Sequence, residues 1–525
     1  MKKALVAVAA FACAVALTGC GGKKKVSAGT EMIIENGAEP QSVDPTKIQG
    51  TTEDHINMAL FEGLVRADAH DCHAIPAIAE SWERSADGLV VTFHLRKGVV
   101  WSDGTPINAQ TFVDSWLYYL APSTAAVYAY MPAGVIKGAE AYNLGKADAS
   151  TVGIRAVDEY TFEVTLTGPA PYAVEMMTHY SFGPLPLHAI KKFGNDWVKP
   201  QNFVSNGPFV LDTWTPQEKL IVKKNDKYWD KDNVFINTIT FLPNDDMTTA
   251  YNKYKAGEID WNMQGCFPLD MLDEIKLRDD YQVAPNLGSY YAEFNCNDPV
   301  LKDVRVRKAL AMALDTQELV DKVTKGGQLA TGAFVPEMAG YTPADGIKFN
   351  VEAAKKLLAE AGYPDGKGFP RLTYIYNTNE AHKKIAEWAQ QQWKNKLGID
   401  IDLQNMEWAT FLAKRQANDF QIARAGWNGD YQDPSNFLEL FITNSGNNDG
   451  RYSNPEYDKL MEMSKIQSGA ERMETLRKAE TLMLDEAAVA PIYIYVTQNL
   501  IDLTKWDGWY ANTMDRHTYI GLKRK

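Results

Sequence analysis

Cysteine is scarce in this chain, positive charge is outnumbered, and past the first twenty residues no apolar run is long enough to cross a bilayer. Five cysteines occur among 525 residues. Cys13 falls within an expected N-terminal leader and Cys20 directly follows it, which leaves Cys72, Cys266 and Cys296. An odd number of thiols does not make a disulfide framework, so unpaired cysteines are expected, with a Cys266–Cys296 bridge as the alternative. His70, Cys72 and His73 are close in sequence, but their spacing matches no common zinc motif, and no metal is expected there. Lys and Arg number 54 against 67 Asp and Glu, a formal net charge of −13. That balance argues against nucleic acid as the main partner, because phosphate binding draws on clustered cations. The chain also lacks a G-x-S-x-G elbow, an H-E-x-x-H helix, a Walker A loop and a G-x-G-x-x-G turn. An enzyme therefore has no motif to rest on, and no cofactor is expected.

What is present is a long globular sequence. Hydrophobic residues make up 45% and charged residues 23%, close to the average of folded proteins, which argues against disorder, coiled coil or collagen. The length predicts several domains with room for large cores. The first twenty residues read as an address. Lys2 and Lys3 precede an unbroken apolar run of 14 residues from Ala4 to Leu17. That is shorter than the ~20 residues a membrane-spanning helix needs and has the length of a signal-peptide core. Leu17-Thr18-Gly19-Cys20 then resembles the lipobox of bacterial lipoproteins, which implies cleavage before Cys20 and acylation of its thiol. Removing residues 1–19 takes away Lys2 and Lys3, so the charge goes from −13 to −15. Two or three acyl chains anchor far more firmly than one. Residues 21–30 read as a tether that spans at most ~33–36 Å.

Periodicity sketches the body. Val91–Leu95 and Thr161–Leu166 alternate apolar and polar residues, the mark of half-buried strands. Arg371–Tyr376 reads as a strand, Glu380–Leu397 as an amphipathic helix stopped by Gly398, and Ile399–Leu403 as another strand. This βαβ unit requires parallel strands and a right-handed crossover. Phe420–Trp427 reads as a further strand running into a loop at Gly426–Asp433. Asp303–Val323 places Val306, Leu310, Ala313, Leu314 and Val320 near one helical face, and Asn350 caps a helix that ends at Gly362. No internal repeat, low-complexity segment or Pro-rich linker occurs. Several α/β lobes without a linker imply a chain that crosses between lobes, with a ligand cleft between them.

Short motifs follow one another in order along the chain. They include Asn36-Gly37-Ala38-Glu39-Pro40-Gln41-Ser42-Val43-Asp44-Pro45, Leu60-Phe61-Glu62-Gly63-Leu64, Ala79-Glu80-Ser81-Trp82 and Trp101-Ser102-Asp103-Gly104-Thr105-Pro106. Asn206-Gly207-Pro208-Phe209, Tyr228-Trp229-Asp230, Gly257-Glu258-Ile259-Asp260 and Leu357-Leu358-Ala359-Glu360-Ala361-Gly362-Tyr363 continue them. The ordered set resembles the family 5 solute-binding proteins, the oligopeptide, dipeptide and nickel group that serves ABC importers, from about residue 33 to the C-terminus. Residues 423–431, Ala-Arg-Ala-Gly-Trp-Asn-Gly-Asp-Tyr, are most similar to the oligopeptide-binding members.

The resemblance implies an α/β type II periplasmic-binding-protein (Venus flytrap) fold, two α/β lobes plus an extra domain. Lobe I would comprise 31–61, 186–287 and 495–525, the extra domain 62–185, and lobe II 288–494. The implied function is capture of oligopeptides and their delivery to an ABC importer permease. A monomer is expected, anchored through Cys20 on the extracytoplasmic face. Murein tripeptide, signalling peptides, dipeptides or nickel are the related ligands, and a peptide-processing enzyme or a structural lipoprotein the rivals from other classes. By position, Asp430 would bind the ligand's α-ammonium, and Arg424 and His382 would receive its carboxylate. Trp427, Trp408 and Tyr128 would line side-chain pockets, while Gly426 would let the peptide backbone approach as an added strand. Two departures stand out. Asn428 and Gly288 occupy positions where proteobacterial members carry a cystine, and Gln49 replaces an acidic residue at the edge of the site.

Overall fold

The computed structural model describes residues 31–263 and 267–525. The expected leader, Cys20, the expected tether and Cys266 lie outside the described residues. One eleven-stranded mixed sheet runs through both lobes. Its main path is Ile401–Met406, Leu372–Asn377, Ile422–Asn428, Tyr281–Phe294, Val489–Ile501, Trp261–Asn262, Glu31–Glu35, Thr238–Leu242, Lys219–Lys224 and Phe209–Thr215. The expected βαβ unit is present: Leu372–Asn377 pairs in parallel with Ile401–Met406, joined by the helix Glu380–Leu397. Gly398 ends that helix at φ 71°, a left-handed conformation that glycine adopts without strain.

The two lobes share the long antiparallel strands Tyr281–Phe294 and Val489–Ile501. Their register slips between Pro285, paired with Val496, and Ser289, paired with Ile494. A slip leaves residues unpaired and lets both strands bend at one level. A separate four-stranded antiparallel sheet, Ala79–Arg84, Val90–Leu95, Thr161–Thr165 and Ile154–Asp158, forms the heart of the extra domain. The alternation read at Val91–Leu95 buries Val91, Phe93 and Leu95. Lobe II has its own core around Leu310, Tyr374, Trp393 and Ile401.

One helix differs from expectation. Asp303–Val323 is not continuous: Val304–Met312 ends, and a new helix starts at Thr316. Asp315 causes the break, because its side chain accepts the Glu318 amide at 3.1 Å and so caps a second start. Among the described residues no helix is long and apolar enough to cross a membrane. Cys72 and Cys296 are free thiols, both pushed up to about 11 by burial. Cys72 is buried while His73 is exposed; the trio whose ligand atoms approach one another there is Asp68, Asp71 and His73.

Candidate functional site

A cavity of about 300 Å³ lies between the lobes, and Tyr128, His382, Trp408, Arg424, Gly426, Trp427 and Asp430 all line it. Residues far apart in sequence are thus brought to one place by the strand Ile422–Asn428, the starts of two helices and the extra domain.

Asp430 lies just past the end of that strand. Asn436 fixes the turn: its Oδ1 accepts the Asp430 amide at 2.9 Å and the Trp427 indole at 3.0 Å. The carboxylate is left facing the cavity. One oxygen is 3.5 Å from His179 Nε2, and the other has no hydrogen-bond partner. Burial pushes its pKa up to about 7; Asp54 adds to the rise, and Arg516 opposes it. His179 Nδ1 accepts the Ser181 amide at 3.2 Å, which places the ring hydrogen on Nε2. Burial, then Arg516, holds this imidazole far below the usual histidine range, so it is neutral. Tyr128 packs its ring against Trp427 at 6.1 Å and His179 at 4.6 Å.

Arg424 lies six residues before Asp430 and has the opposite problem. Its Nη2 donates to the Tyr495 hydroxyl at 3.1 Å, and its guanidinium lies 5.1 Å from the centre of the Tyr290 ring. Nε has no partner, and no ion pair holds Arg424 among the described residues. A buried guanidinium whose one hydrogen bond goes to a tyrosine hydroxyl and whose neighbouring His382 is held neutral favours an anion beside it.

The surroundings of three further site residues bear on their expected roles. Burial, then Arg424, holds the His382 imidazole well below the usual histidine range, and its Nδ1 lies 3.4 Å from the Tyr290 hydroxyl. At Gly426 the Tyr495 hydroxyl occupies the space a side chain would take, so only glycine fits on this wall of the cavity. Trp408 does more than line a pocket, since its indole crosses the cleft to donate to Glu53. The two departures also gain a structure. Gln49 joins the lobes as a neutral clasp, accepting from Gln416 at 2.8 Å and donating to Asn447, whose own amide donates to Tyr130 of the extra domain at 3.1 Å. Gly288 and Asn428 are direct partners on adjacent strands, and a Cβ at residue 288 would meet the side-chain oxygens of Asn286 and Asn428.

Sequence reasoning did not single out Glu53, Asp54, His179, Asn436, Tyr495 or Arg516. Asn436 follows Asp430 by six residues, and its Asx chemistry in a Pro-Ser-Asn turn was the one local signal available.

The model of the bacterial extracellular solute-binding proteins, family 5, matches residues 73–449. Together with relatives of more than 30% identity along most of the chain, this places the protein: it belongs to the family 5 extracellular solute-binding proteins. The periplasmic oligopeptide-binding protein OppA of Escherichia coli is 39% identical, with 93% of this chain and 92% of that protein covered. Among solved structures, the periplasmic oligopeptide-binding protein OppAIV of Borrelia burgdorferi superposes with a TM-score of 0.92 at 37% identity, covering 94% of this chain and 100% of that one. OppA of Haemophilus influenzae in complex with RPPGFSPFR superposes at 0.90 with 36% identity, covering 95% and 99%. The murein tripeptide-binding protein MppA of E. coli superposes at 0.90, but an unliganded open form of MppA only at 0.62, although the identity is 34% in both. Since the sequence difference is the same, the gap lies in how the lobes are set. The lobes of this chain are closed.

Proposed function

We propose that this chain is the substrate-binding component of an ABC peptide importer, which captures oligopeptides in the interlobe cleft and hands them to the permease. The observation that carries this reading is a pair of buried, uncompensated charges of opposite sign in one closed cavity, a carboxylate at Asp430 and a guanidinium at Arg424. An α-ammonium and a peptide carboxylate are the groups every linear peptide offers, so a site that grips both can ignore side chains. Nickel would leave the guanidinium unexplained. The similarity to OppA proteins supports the same reading. Trp427 and Tyr128 would wall the side-chain space, with water adjusting to each residue. His382 would serve as a neutral hydrogen-bonding group beside the ligand carboxylate. The protein acts as a monomer without a catalytic step, tethered through lipid on Cys20. The register slip at Pro285–Ser289 supports placing the lobe boundaries at 287/288 and 494/495, with the extra domain at 62–185.

The test is a four-corner cycle on Asp430→Asn and N-acetylation of the peptide, followed by calorimetry at fixed pH and salt. Breaking one partner of a buried charge pair costs ~2–5 kcal/mol, about 1.5 to 3.5 orders of magnitude in Kd. Each single change should show that loss. Both together should cost clearly less than the sum, because they delete one interaction. Fully additive losses would place the ammonium elsewhere.

A further inference from the structure

At the Asp430 end of the cavity, four polar side-chain atoms converge without hydrogen-bond partners: Oδ2 of Asp430, Oδ1 of Asp54, Nε of Arg516 and Nε2 of His179. They come from distant parts of the chain. Asp54 projects from the first turn of the helix Thr51–Leu60 in lobe I, Arg516 from the C-terminal segment of the same lobe, and Asp430 from lobe II. Arg516 Nε lies 3.4 Å from Asp54 Oδ2, and its Nη1 donates to Thr178 at 3.3 Å. Asp54 is near enough to Asp430 to push that carboxyl's pKa upward. The Nε–H of Arg516 and the Nε2–H of His179 already face carboxylate oxygens at 3.4 and 3.5 Å, so the buried acceptors that call for a donor are Asp430 Oδ2 and Asp54 Oδ1.

Charge counting narrows what that partner is. Asp54 and Asp430 carry one negative charge each when ionised, Arg516 one positive, and His179 none. The phenols of Tyr119, Tyr128, Tyr130 and Tyr180 face the same carboxylate and stay protonated. Glu439, also within reach of Asp430, is itself pushed up to about 8 by burial. Asp515, on the same cavity wall, is held by Asn499 and His517, so the cluster of Asp54, Asp430 and Arg516 is the part that lacks one positive charge.

We propose that Asp54 is the second carboxylate of the ammonium site, so that the ligand's α-ammonium bridges Asp430 of lobe II and Asp54 of lobe I, while Arg516 limits the pocket to a single added cation. This deepens the peptide-binding reading and rests on it. A bridge between lobes makes the ammonium part of the closing force. A group that contacts both lobes binds the closed state far better than the open one, which is the condition for a ligand to drive closure.

Two substitutions of opposite charge test it, using Ala-Ala-Ala and N-acetyl-Ala-Ala-Ala as probes in calorimetry at pH 8 and fixed salt. Asp54→Asn should weaken the free tripeptide at least tenfold and the acetylated one less than twofold, so discrimination between them shrinks. Arg516→Gln should move discrimination the other way, widening it at least threefold, because the pocket then holds two uncompensated carboxylates. Damage to packing cannot give effects of opposite sign. Equal losses on both probes with Asp54→Asn, or narrowed discrimination with both variants, would overturn the proposal. If the wild-type protein bound neither probe, the peptide-binding reading itself would fall. If it bound both equally, the ammonium site would fall with Asp430 still in place.

Discussion

Trp408 and Glu53 are joined across the cleft: the indole Nε1 of one lobe donates to the carboxylate of the other at 3.2 Å. Glu53 also accepts the Gln41 amide at 2.7 Å, and its second oxygen is buried without a partner. Burial raises its pKa despite both bonds. Opening the lobes breaks the Trp408 bond, so it belongs to the closed state alone.

Trp408→Phe should therefore weaken closure rather than reshape one pocket. Leaving a buried acceptor short of a donor costs ~1–3 kcal/mol, or about 5- to 150-fold in Kd. The loss should be similar for peptides of different side chains, and small-angle scattering should show a larger radius of gyration without ligand. Losses that follow one side-chain type would instead make Trp408 a pocket wall.

The ligand-free protein should lose stability as pH rises. Asp430 has a higher pKa in the closed, empty site, about 7, than its ordinary 3.8. Its contribution is complete below about pH 4 and disappears as pH climbs through about 7. Glu439, held up to about 8 by burial, acts in the same direction. Asp430→Asn cannot ionise, so it should stabilise the empty protein at pH 8 by a few kcal/mol at most (~1.4 kcal/mol per pKa unit) and raise its melting temperature accordingly. The same variant should bind peptide worse. An unchanged melting temperature across pH 5–8 in both proteins would contradict the buried, unpaired state of this carboxyl.

Gly288→Cys combined with Asn428→Cys should form a disulfide. Residues directly opposite on antiparallel strands have Cα atoms ~4.5–5.5 Å apart, inside the ~4.4–6.8 Å range of disulfides. Replacing Asn428 also vacates the space its oxygen takes beside residue 288. Thiol titration of the oxidised double variant should read two fewer groups than after reduction. Gly288→Ala alone should destabilise by ~1–3 kcal/mol, because its Cβ meets the Asn286 and Asn428 oxygens. Free thiols at both positions would show that the strands part here.

Cys20→Ser should release the protein from membranes. The leader's apolar run ends just before Cys20, and no later helix among the described residues can span a bilayer. Fractionation with a salt wash checks this. A variant that stays with the membrane would mean that the body, not the anchor, holds it.

Much of the fold was legible because its signals are local. The βαβ unit at Leu372–Met406 shows in hydrophobic period and in one glycine, and Asn350 caps its helix as its residue type demands. Asp303–Val323 misled because its apolar spacing continues through a capping aspartate, and a cap outranks periodicity when the side chain can reach the amide three residues on. The site divides in the same way. Residues 424–430 stand out as a run, whereas Asp54, His179 and Arg516 matter only through their distance to Asp430. Nothing in a window of sequence reports that an aspartate near residue 50 and an arginine near residue 516 will face each other. The neutral state of His382 was equally hidden, since it follows from burial beside Arg424 and not from its place at a helix start.

The strands Tyr281–Phe294 and Val489–Ile501 each belong to both lobes, and they are paired with each other along most of their length. Neither lobe can then melt by itself without stripping edge pairing from its neighbour. Heating or denaturant should take down the shared sheet as one cooperative unit, and the extra domain's four-stranded sheet with it, because its buried face shares one core with the lobe I strands. A protein that must open and shut repeatedly is thereby protected from half-unfolded states at its moving part: bending is cheap at the register slip, and tearing is resisted everywhere else along the two strands.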